Sequence, residues 1–427
     1  MKNSWYLTTS IPYVNGSPHL GHALEFVHAD ALARHARTRG RAVRLQSGTD
    51  DHAIKNVAAA EAAGRRVSDV VAENGARFVE TASALGVQFD EFVRTSSDLR
   101  HAPAVESLWA ACAASGDLYQ RPYSGAYCTG CEQFYDPDEL VDGLCSEHGT
   151  APQPVTETNW FFRLSRYKEE LTRLLESGEV RVEPPERLNE VLGFLRGPVH
   201  DISVSRPEER ANGWGIAVPG DPTQVVYVWF DALTNYLTGL GYGSDHAQYA
   251  QWWAGSTERV HIVGKGIARF HAVFWLAFLL SADLPLPSRI DVHDYLTVNG
   301  EKIAKSGAQA ADPGDLVERF GADAVRWWLL REPAPVGTTD FTEARLVDAY
   351  NRDLANGLGN LTSRCLTLTA RKPTLDTSTT GVVGASDDCL VARAQALPQL
   401  VDDALDRYDF RAATRAICSL AEEGNRF

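Results

Sequence analysis

The 427-residue sequence predicts an α/β fold whose C-terminal end is helical. Over the first 115 residues, short apolar runs alternate with helical patterns, which is typical of a parallel sheet covered by helices. The alternation returns after residue 186, so a second half is expected to complete the sheet. From residue 341 onward the pattern is helical, and in its last part Phe410, Ala413, Ile417 and Leu420 share one face.

The first half is predicted to run from strand to loop to helix to strand. Residues 5–10 form a short β-prone run, and a loop rich in Pro, Asn, Gly and Ser follows it. Residues 23–39 have helical spacing until Gly40 ends the helix, and residues 41–46 form a second strand before SGTDDH. Three further helical stretches are predicted at residues 56–64, 68–85 and 101–115.

The pattern changes between residues 116 and 185, where short aromatic strands, turns and a cluster of Cys precede a helix at 167–177. This stretch is therefore predicted to be an insertion. Strands are then predicted at 201–206, 225–230, 260–263 and 289–292, and helices at 270–280, 313–320, 323–330, 342–370, 389–406 and 410–423. Because open α/β sheets bind ligands at the carboxyl ends of their strands, the loops at 11–22, 48–52 and 264–269 are expected to meet at one site.

The composition excludes several classes of protein. With 41 basic and 56 acidic residues the net charge is −15, which excludes a generally basic nucleic-acid binder but allows a local basic groove. A hydrophobic content of 44% with 10 Trp and 14 Tyr excludes a disordered chain. No run of eighteen apolar residues and no signal-peptide core are present, so a cytoplasmic protein without a membrane partner is expected.

Two histidines lie where the first helix is predicted to begin, in the segment His19-Leu20-Gly21-His22. A helix N-terminus offers free backbone N–H groups to phosphate oxygens, and Gly21 would let a nucleotide approach the backbone. Imidazoles three residues apart on one turn face the same way and could both donate to phosphate. Two histidines that lie in a loop by chance are the more common alternative.

Lysine is scarce in this chain, since only 7 of the 41 basic residues are Lys. Lys302 and Lys305 nevertheless lie three residues apart, in a KIAKS segment after the turn signal Asn299-Gly300. Two ammonium groups on a loop suit a polyphosphate leaving group. An exposed charged loop is the usual alternative, but a chain that prefers Arg is expected to keep Lys where a compact ammonium is needed.

A metal site is predicted in the insertion, where Cys128, Cys131, Cys145 and His148 have the spacing Cys-x2-Cys-x13-Cys-x2-His. Three thiolates and one imidazole suit tetrahedral Zn²⁺, and four protein ligands make the metal structural rather than catalytic. The odd total of seven Cys and the crowding of three of them argue against disulfides. The other four are predicted to be core residues: Cys112, Cys365, Cys389 and Cys418.

The two short motifs taken together resemble a known family. PHLGH near the N-terminus and KIAKS near residue 302 resemble the HIGH and KMSKS signatures of class I aminoacyl-tRNA synthetases. Longer segments narrow the resemblance to the methionyl-tRNA synthetase family over residues 4–427. In chain order they are IPYVNGSPHLGHA, LQSGTDDH, YCTGCEQFY, DISVSR, WGIAVP, YVWFDALTNYL, FHAVFW, VNGEKIAKS, DPGDLVERFGADAVRWWLLRE and NRDLANGLGNLTSR.

The resemblance implies a division into five segments. The halves of a Rossmann-type catalytic domain are expected at 1–115 and 186–294, with an inserted connective domain carrying the zinc knuckle at 116–185. The lysine loop would lie in a domain at 295–340, and 341–427 would be a shortened form of the family's helical anticodon-binding domain.

The resemblance also implies a methionine pocket. Aromatic walls suit a thioether, whose sulfur packs well at ring edges, and Asp50 is the natural partner of an α-ammonium group. The alternative is that the aromatic residues are simply buried helix faces. The implied pocket residues are Ile11, Tyr13, Asp50, Trp229, Ala232, Tyr236, Phe270, His271 and Trp275.

The implied reaction is ATP-dependent formation of methionyl-adenylate, with Mg²⁺ assisting, and transfer of methionine to its tRNA. His19, Gly21, His22, Lys302, Lys305 and Ser306 would bind ATP, and the two His and two Lys would act in catalysis. A monomer is expected.

The chain also departs from the family. Gly266 stands where the family has a carboxylate, Ala304 where it has a hydroxyl, and Gly307 where it has a basic residue, so the rate of reaction is in question. Residues 341–427 hold 10 basic and 12 acidic residues, which is no cationic platform for tRNA. Two alternatives therefore stay open: a paralogue that passes an adenylated amino acid to a small molecule, and a non-catalytic regulator, against which the retained His and Lys argue.

Overall fold

The computed structural model describes residues 4–128, 133–135, 140–145, 149–303, 311–371 and 385–426. Over these residues the chain forms two compact units. The first comprises Met1–Pro18, Ala29–Ser83 and Val87–His293, and the second comprises His19–His28, Ala84–Gly86 and Asp294–Phe427.

Sixteen strands lie in the described part of the chain. They are β1 Ser4–Thr9, β2 Ala42–Thr49, β3 Glu91–Arg94, β4 Leu118–Cys128, β5 Gln133–Tyr135, β6 Gln153–Phe162, β7 Arg181–Glu183, β8 Ile202–Ser203, β9 Ser205–Pro207, β10 Ala217–Val218, β11 Asp221–Val226, β12 Glu258–Gly264, β13 Arg289–His293, β14 Leu296–Val298, β15 Glu301–Lys302 and β16 Thr339–Phe341.

The same residues contain fifteen α-helices. They are α1 Leu20–Thr38, α2 Ile54–Ala62, α3 Val67–Ala84, α4 His101–Ala114, α5 Lys168–Ser177, α6 Pro185–Arg196, α7 Val228–Thr238, α8 His246–Tyr249, α9 Leu276–Ser281, α10 Pro313–Phe320, α11 Ala322–Arg331, α12 Glu343–Ala349, α13 Asn360–Arg371, α14 Ala385–Asp406 and α15 Phe410–Arg426. Wider π-helical turns occur at Ala250–Ala254, Phe270–Trp275 and Tyr350–Gly359.

The first unit is built on a six-stranded sheet in the order β3-β2-β1-β12-β13-β7, in which all neighbours run parallel. The strand order changes direction between β1 and β12, and such switch points are where α/β sheets bind ligands. A four-stranded sheet, β5-β4-β6-β8, and a three-stranded sheet, β10-β11-β9, are antiparallel and lie outside this parallel sheet.

The core of the first unit is rich in large aromatic side chains. Trp253 and Trp275 are completely buried, and the ring of Phe278 packs 4.7 Å from that of Phe230 and 4.9 Å from that of Phe162. Full burial of one such side chain contributes about 1.5–3 kcal/mol, so this cluster supplies much of the stability that holds helices α7 and α9 in place.

The second unit combines a small three-stranded sheet, β15-β14-β16, with packed helices. Helix α10 is capped by the preceding Asp312, whose carboxylate accepts hydrogen bonds from the backbone N–H groups of Gly314 and Asp315. Trp328 of α11 is buried edge-on against Phe341, with ring centroids 4.8 Å apart. Helix α15 packs on α11 and α14, so the end of the chain is a set of packed helices.

The predicted α/β fold with a parallel sheet and a helical C-terminal region is confirmed. The strand predicted at 225–230 is wrong beyond Val226, because α7 begins at Val228 and takes the aromatic residues into a helix. Cys112 and Cys418 are buried as predicted, whereas Cys365 and Cys389 are exposed, since α13 has no buried residue and Cys389 lies on an exposed part of α14. None of the helices in the described residues is long and apolar enough to cross a membrane.

Candidate active site

The carboxyl ends of β1 and β2 are joined at the site that the sequence predicted. Tyr13 and Asp50 form an isolated parallel bridge, in which the backbone N–H of Asp50 donates to the carbonyl of Pro12 over 2.9 Å. The Asp50 side chain is only 2% exposed, and its Oδ1 accepts a hydrogen bond of 3.2 Å from the backbone N–H of His52. The structure thus places a buried carboxylate at the carboxyl ends of β1 and β2.

Gly48 allows the strands to approach each other closely here. A Cβ atom at this position would lie 2.2 Å from the carbonyl oxygen of Val93 and 3.1 Å from Cγ2 of Ile11. Since the first contact is with rigid backbone, any side chain would push β2 away from β3. The glycine therefore keeps β2 close to β3 and leaves room for the side chain of Ile11.

An aromatic wall stands in the same unit as Asp50. The rings of Trp229 and Phe270 are stacked with centroids 3.7 Å apart and planes at 12°, and Tyr13 meets Trp229 edge-on at 6.4 Å. The Trp229 Nε1–H is buried and has no hydrogen-bond partner among the described residues. A buried donor without a partner indicates a place where a polar ligand atom binds.

The deeper wall is locked by hydrogen bonds. The Nδ1–H of His271 donates to the carbonyl of Ile267 over 2.9 Å, so its Nε2 accepts the hydroxyl proton of Tyr236 over 2.7 Å. Trp275 is completely buried, and its Nε1–H donates to Nε2 of His261 over 3.0 Å. Ala232 is buried on the helix that carries Trp229 and Tyr236. The structure therefore brings Tyr13 and Asp50 together and builds an aromatic wall from Trp229, Tyr236, Phe270, His271 and Trp275.

The histidines of the HLGH segment belong to the second unit and lie at the start of α1. Their rings are stacked at 3.7 Å, as expected for imidazoles on one turn. His22 Nδ1 accepts from the backbone N–H of His19, and His19 Nδ1 accepts from that of Gly21, so both rings carry a proton on Nε2. A Cβ at Gly21 would lie 3.0 Å from Cε1 of His19, so the glycine also makes room for this ring.

The lysine loop is described only at its beginning. Lys302 ends strand β15, which pairs with β14 in the second unit. Lys305 and Ser306 lie outside the described residues.

Comparison with known proteins identifies the family. The family model described as tRNA synthetases class I (M) matches residues 5–150 and 135–366. The methionine–tRNA ligase of Brucella suis is 38% identical over 431 residues, which cover 100% of this chain and 82% of that protein. The methionine–tRNA ligase of Mycobacterium bovis is 39% identical over 99% of this chain and 81% of its own length. The chain belongs to the methionyl-tRNA synthetase family.

Solved structures lead to the same family. The methionyl-tRNA synthetase of Mycobacterium tuberculosis in complex with methionyl-adenylate has a TM-score of 0.92 and 39% identity, over 100% of this chain and 83% of that one. The apo form of the Mycobacterium tuberculosis synthetase has a TM-score of 0.83 and 36% identity, over 100% and 81% of the two chains.

Two of the four predicted zinc ligands of this methionyl-tRNA synthetase family member lie in the described residues. Cys128 and Cys145 are buried in one small cluster with Tyr135, although they are seventeen positions apart. A tight turn through Asp142 and Gly143, both with positive φ, brings the chain back before Cys145. Cys131 and His148 lie outside the described residues.

One cluster beside the pocket was missed by the interpretation of the sequence. The buried carboxylate of Asp231 lies 2.7 Å from Nδ1 of His52 and 2.5 Å from Nε2 of His101. His52 and Asp231 stand inside the motifs LQSGTDDH and YVWFDALTNYL, which could have drawn attention to them. His101 has no such signal, because it begins a helix 49 residues after His52.

Proposed function

We propose that this chain activates methionine with ATP to form methionyl-adenylate and then transfers methionine to tRNA. The observation that carries the proposal is the buried carboxylate of Asp50 in the unit that also carries the aromatic wall of Trp229 and Phe270. An α-ammonium group and a thioether require this combination of groups. The similarity to methionine–tRNA ligases over the whole chain supports the same substrates and an aminoacyl-tRNA ligase activity.

The pocket residues have distinct roles in this proposal. Asp50 binds the α-ammonium group of methionine, and the aromatic wall, with Ile11 and Ala232, encloses the side chain. Tyr13 supplies a polar contact, whereas both ring nitrogens of His271 are already hydrogen bonded to Ile267 and Tyr236, so His271 contributes its ring surface instead. Because the hydroxyl of Tyr236 is already used by His271 and the Nε1–H of Trp275 by His261, these residues present ring faces and edges to the sulfur. The buried Nε1–H of Trp229 is left to bind a polar atom of the ligand. One methylene changes binding in an apolar pocket by only about 1–3 kcal/mol, so homocysteine is the expected competitor.

Adenylate formation needs no protein nucleophile. A carboxylate oxygen of methionine attacks the α-phosphorus of ATP in line, and pyrophosphate leaves. The Nε2–H groups of His19 and His22 donate to phosphate oxygens, the ammonium groups of Lys302 and Lys305 stabilise the departing pyrophosphate, and Ser306 contributes to ATP binding. Gly21 leaves space at the start of α1. Mg²⁺ would supply further charge on the phosphates. A ribose hydroxyl at the end of tRNA then attacks the acyl carbon and releases AMP.

Further features complete the proposal. Cys128, Cys131, Cys145 and His148 hold a structural Zn²⁺, for which three thiolates and one imidazole are a fitting donor set. The chain is divided into the five segments given above, and the enzyme is monomeric and cytoplasmic. No observation favours transfer of the activated amino acid to a small molecule.

The amino-acid substrate and the acceptor are tested in two steps. Methionine-dependent exchange of pyrophosphate into ATP is measured against a panel that includes leucine and homocysteine, and then charging of methionine tRNA is measured. We expect exchange with methionine well above the other amino acids, followed by charging. Exchange without charging would contradict the acceptor, and exchange with none of the amino acids would contradict the enzyme activity.

A further inference from the structure

A buried ionic cluster lies behind the proposed methionine pocket. Asp231 of α7 is 1% exposed, and its two carboxylate oxygens are contacted by different imidazoles, His52 at 2.7 Å and His101 at 2.5 Å. His101 is completely buried, and its Nδ1 lies 2.8 Å from the hydroxyl of Thr238, the last residue of α7. The mechanism proposed above uses none of these side chains.

The distances are those of hydrogen bonds. Although two imidazoles and one carboxylate could hold a metal ion, ligand atoms about 2.0 Å from one tetrahedral ion lie about 3.3 Å apart. The observed nitrogen–oxygen separations of 2.5 and 2.7 Å are shorter and leave room only for a proton between the atoms. The cluster therefore binds its three side chains to one another.

Charge strengthens this cluster. Burial would raise the pKa of Asp231, but the charges of His52 and His101 outweigh it and hold the pKa of the carboxyl well below its usual range. Burial would lower the pKa of His52, yet the Asp231 carboxylate raises it above its ordinary value. Removing one member of such a buried pair is costly, because it leaves the other charge without a partner.

His52 connects this cluster to the substrate-binding carboxylate. Its side chain is held by Asp231, while its backbone N–H donates to Oδ1 of Asp50 over 3.2 Å. Asp231 also stands on α7 only two residues after Trp229, which belongs to the aromatic wall. One short chain of contacts therefore runs from the helix that carries the wall to the carboxylate that faces the amino group.

We propose that Asp231 is a positioning residue that acts through His52 to hold the Asp50 carboxylate in register with the aromatic wall of α7. This inference rests on the proposed function, because it takes Asp50 as the group that binds the α-ammonium of the amino acid. His101 supports Asp231 from the opposite side. Substrates are then selected for the spacing between their amino group and their side chain.

Other hydrogen bonds hold the loop to segments other than α7. The carbonyl of Asp50 accepts from Nδ2 of Asn56 over 2.9 Å, and the backbone N–H of Asp50 donates to the carbonyl of Pro12. The backbone N–H of Asp51 donates to the hydroxyl of Thr95, and its carboxylate accepts from Ser96. The carbonyl of Asp51 accepts from Trp214. These bonds fix the loop to the segment after β3 and to residue 214, whereas the His52 imidazole fixes it to α7.

A double-mutant cycle tests whether Asp231 acts through Asp50. Methionine is titrated calorimetrically into the full chain and into Asp231→Asn, Asp50→Asn and the double variant. Loss of a hydrogen bond to a charged group weakens binding about tenfold or more, so Asp231→Asn should raise the Kd about tenfold. In the Asp50→Asn background the same change should have an effect of less than about twofold. Equal factors in the two backgrounds would overturn the proposal.

A second measurement applies where Asp50→Asn binds methionine too weakly to titrate. Methionine and the corresponding thioether acid without its α-amino group are compared as ligands of wild type and of Asp231→Asn, the latter ligand as an inhibitor of pyrophosphate exchange. Asp231→Asn should weaken methionine and leave the amine-free acid unchanged. If both ligands are weakened to the same extent, Asp231 does not act on the amino group.

Conservative variants separate positioning from folding. His52→Asn keeps a side-chain N–H close to the place of Nδ1 and should bind methionine within about threefold of wild type, whereas His52→Leu should resemble Asp231→Asn. Asp353→Asn is a matched control, because Asp353 is also a buried carboxylate paired with cations, in the second unit. It should lower the melting temperature without changing the Kd for methionine. An equal rise of the Kd in this control would overturn the proposal.

If the proposed substrate were wrong, the wild-type protein would exchange pyrophosphate into ATP with an amino acid other than methionine. The cycle is then run with that amino acid, and non-additivity between positions 50 and 231 still decides the role of Asp231.

Discussion

The imidazole of His261 sets the orientation of Trp275 in the aromatic wall. Its Nε2 accepts the Nε1–H of Trp275, so the proton is on Nδ1, which donates to the hydroxyl of Thr8 over 2.6 Å. Burial, together with the nearby His271 and Arg259, holds the pKa of His261 well below its ordinary value. The ring is therefore neutral in the folded protein, and its two hydrogen bonds require that state.

This neutral histidine predicts a pH dependence of stability. The ordinary pKa of 6.5 applies in the unfolded chain, so below that pH the unfolded state binds a proton that folded His261 does not. The free energy of unfolding should fall by about 1.4 kcal/mol per pH unit as the pH is lowered below the ordinary value. His261→Gln should lose this part of the slope. Denaturant titrations at two pH values, one on each side of 6.5, measure this change in the free energy of unfolding. An equal change with pH in wild type and His261→Gln would contradict a neutral His261.

Individual residues were predictable from the sequence only where a motif marks them. Asp50 and Trp229 stand in segments that resemble the methionyl-tRNA synthetase family. In the structure both lie next to Tyr13. His261 stands in the apolar run VHIVG, and no motif or residue spacing there indicates that this histidine has a role of its own. Its role depends on Thr8 and Trp275, which are distant along the chain, and such contacts are visible only in the folded structure.

At the scale of elements, an ion cluster joins α11 to the π-helical segment Tyr350–Gly359. The Asp353 carboxylate accepts from Arg331 over 3.1 Å, from Arg352 over 2.8 Å and from the indole of Trp327 over 3.1 Å. Burial would raise the pKa of this carboxyl, but the hydrogen bonds of Arg352 and Trp327 outweigh it and lower the pKa. The ionised carboxylate therefore holds these two helical elements together.

Asp353→Asn should lower stability at neutral pH by about 1–3 kcal/mol, because charged hydrogen bonds are lost. The lowered pKa means that the stabilisation is fully present above 3.8, the ordinary pKa, and disappears as the pH falls through the folded value. Thermal unfolding at neutral pH and at a series of pH values extending well below 3.8 measures the difference between variant and wild type. Asp348→Asn, at an exposed position of α12, should change stability by less than about 0.5 kcal/mol. A difference that persists in acid would contradict this role of Asp353.

Helices with clear apolar spacing were predicted within a few residues, as α10 and α15 show. The run VVYVWF was not, because a short apolar run suits a buried strand and the beginning of a buried helix equally. The π-helical turns at Phe270–Trp275 were also beyond prediction. Their extra residue per turn results from packing against the core, and FHAVFW would fit an ordinary helix equally well.

At the scale of the whole molecule, the zinc knuckle should be required for stability and not for adenylate chemistry. We expect one zinc per chain by metal analysis, and Cys145→Ser should lose the metal and melt at a lower temperature, because the closed shell of ligands is broken. Methionine-dependent pyrophosphate exchange should continue in the surviving folded protein. Cys365→Ser is the matched control, since its thiol is exposed, and it should retain zinc. A metal-free wild-type protein would refute the site.

The order of the parallel sheet was not predictable from the single sequence. Of its six strands, β1, β2, β12 and β13 were predicted, whereas β3 and β7 were not, and nothing in the side chains says that β7 pairs with β13 or that β1 pairs with β12. Apolar β-branched strands accept one another with little preference, and the order is decided by the packing of the connecting helices. The meeting of the loops after β1 and β2 could still be predicted, because both loops leave the carboxyl edge of the sheet.

The pairing of β1 with β12 has a consequence during synthesis on the ribosome. Residues 4–9 cannot acquire their central neighbour until residues 258–264 have been translated. At about 5–20 residues per second, the wait for some 250 residues is on the order of 10–50 seconds. During that time β1, β2 and β3 have only one another as partners, and one side of β1 is an open edge. The nascent chain therefore carries an unpaired edge of β1, where wrong strand pairing can occur, until residues 258–264 have left the ribosome.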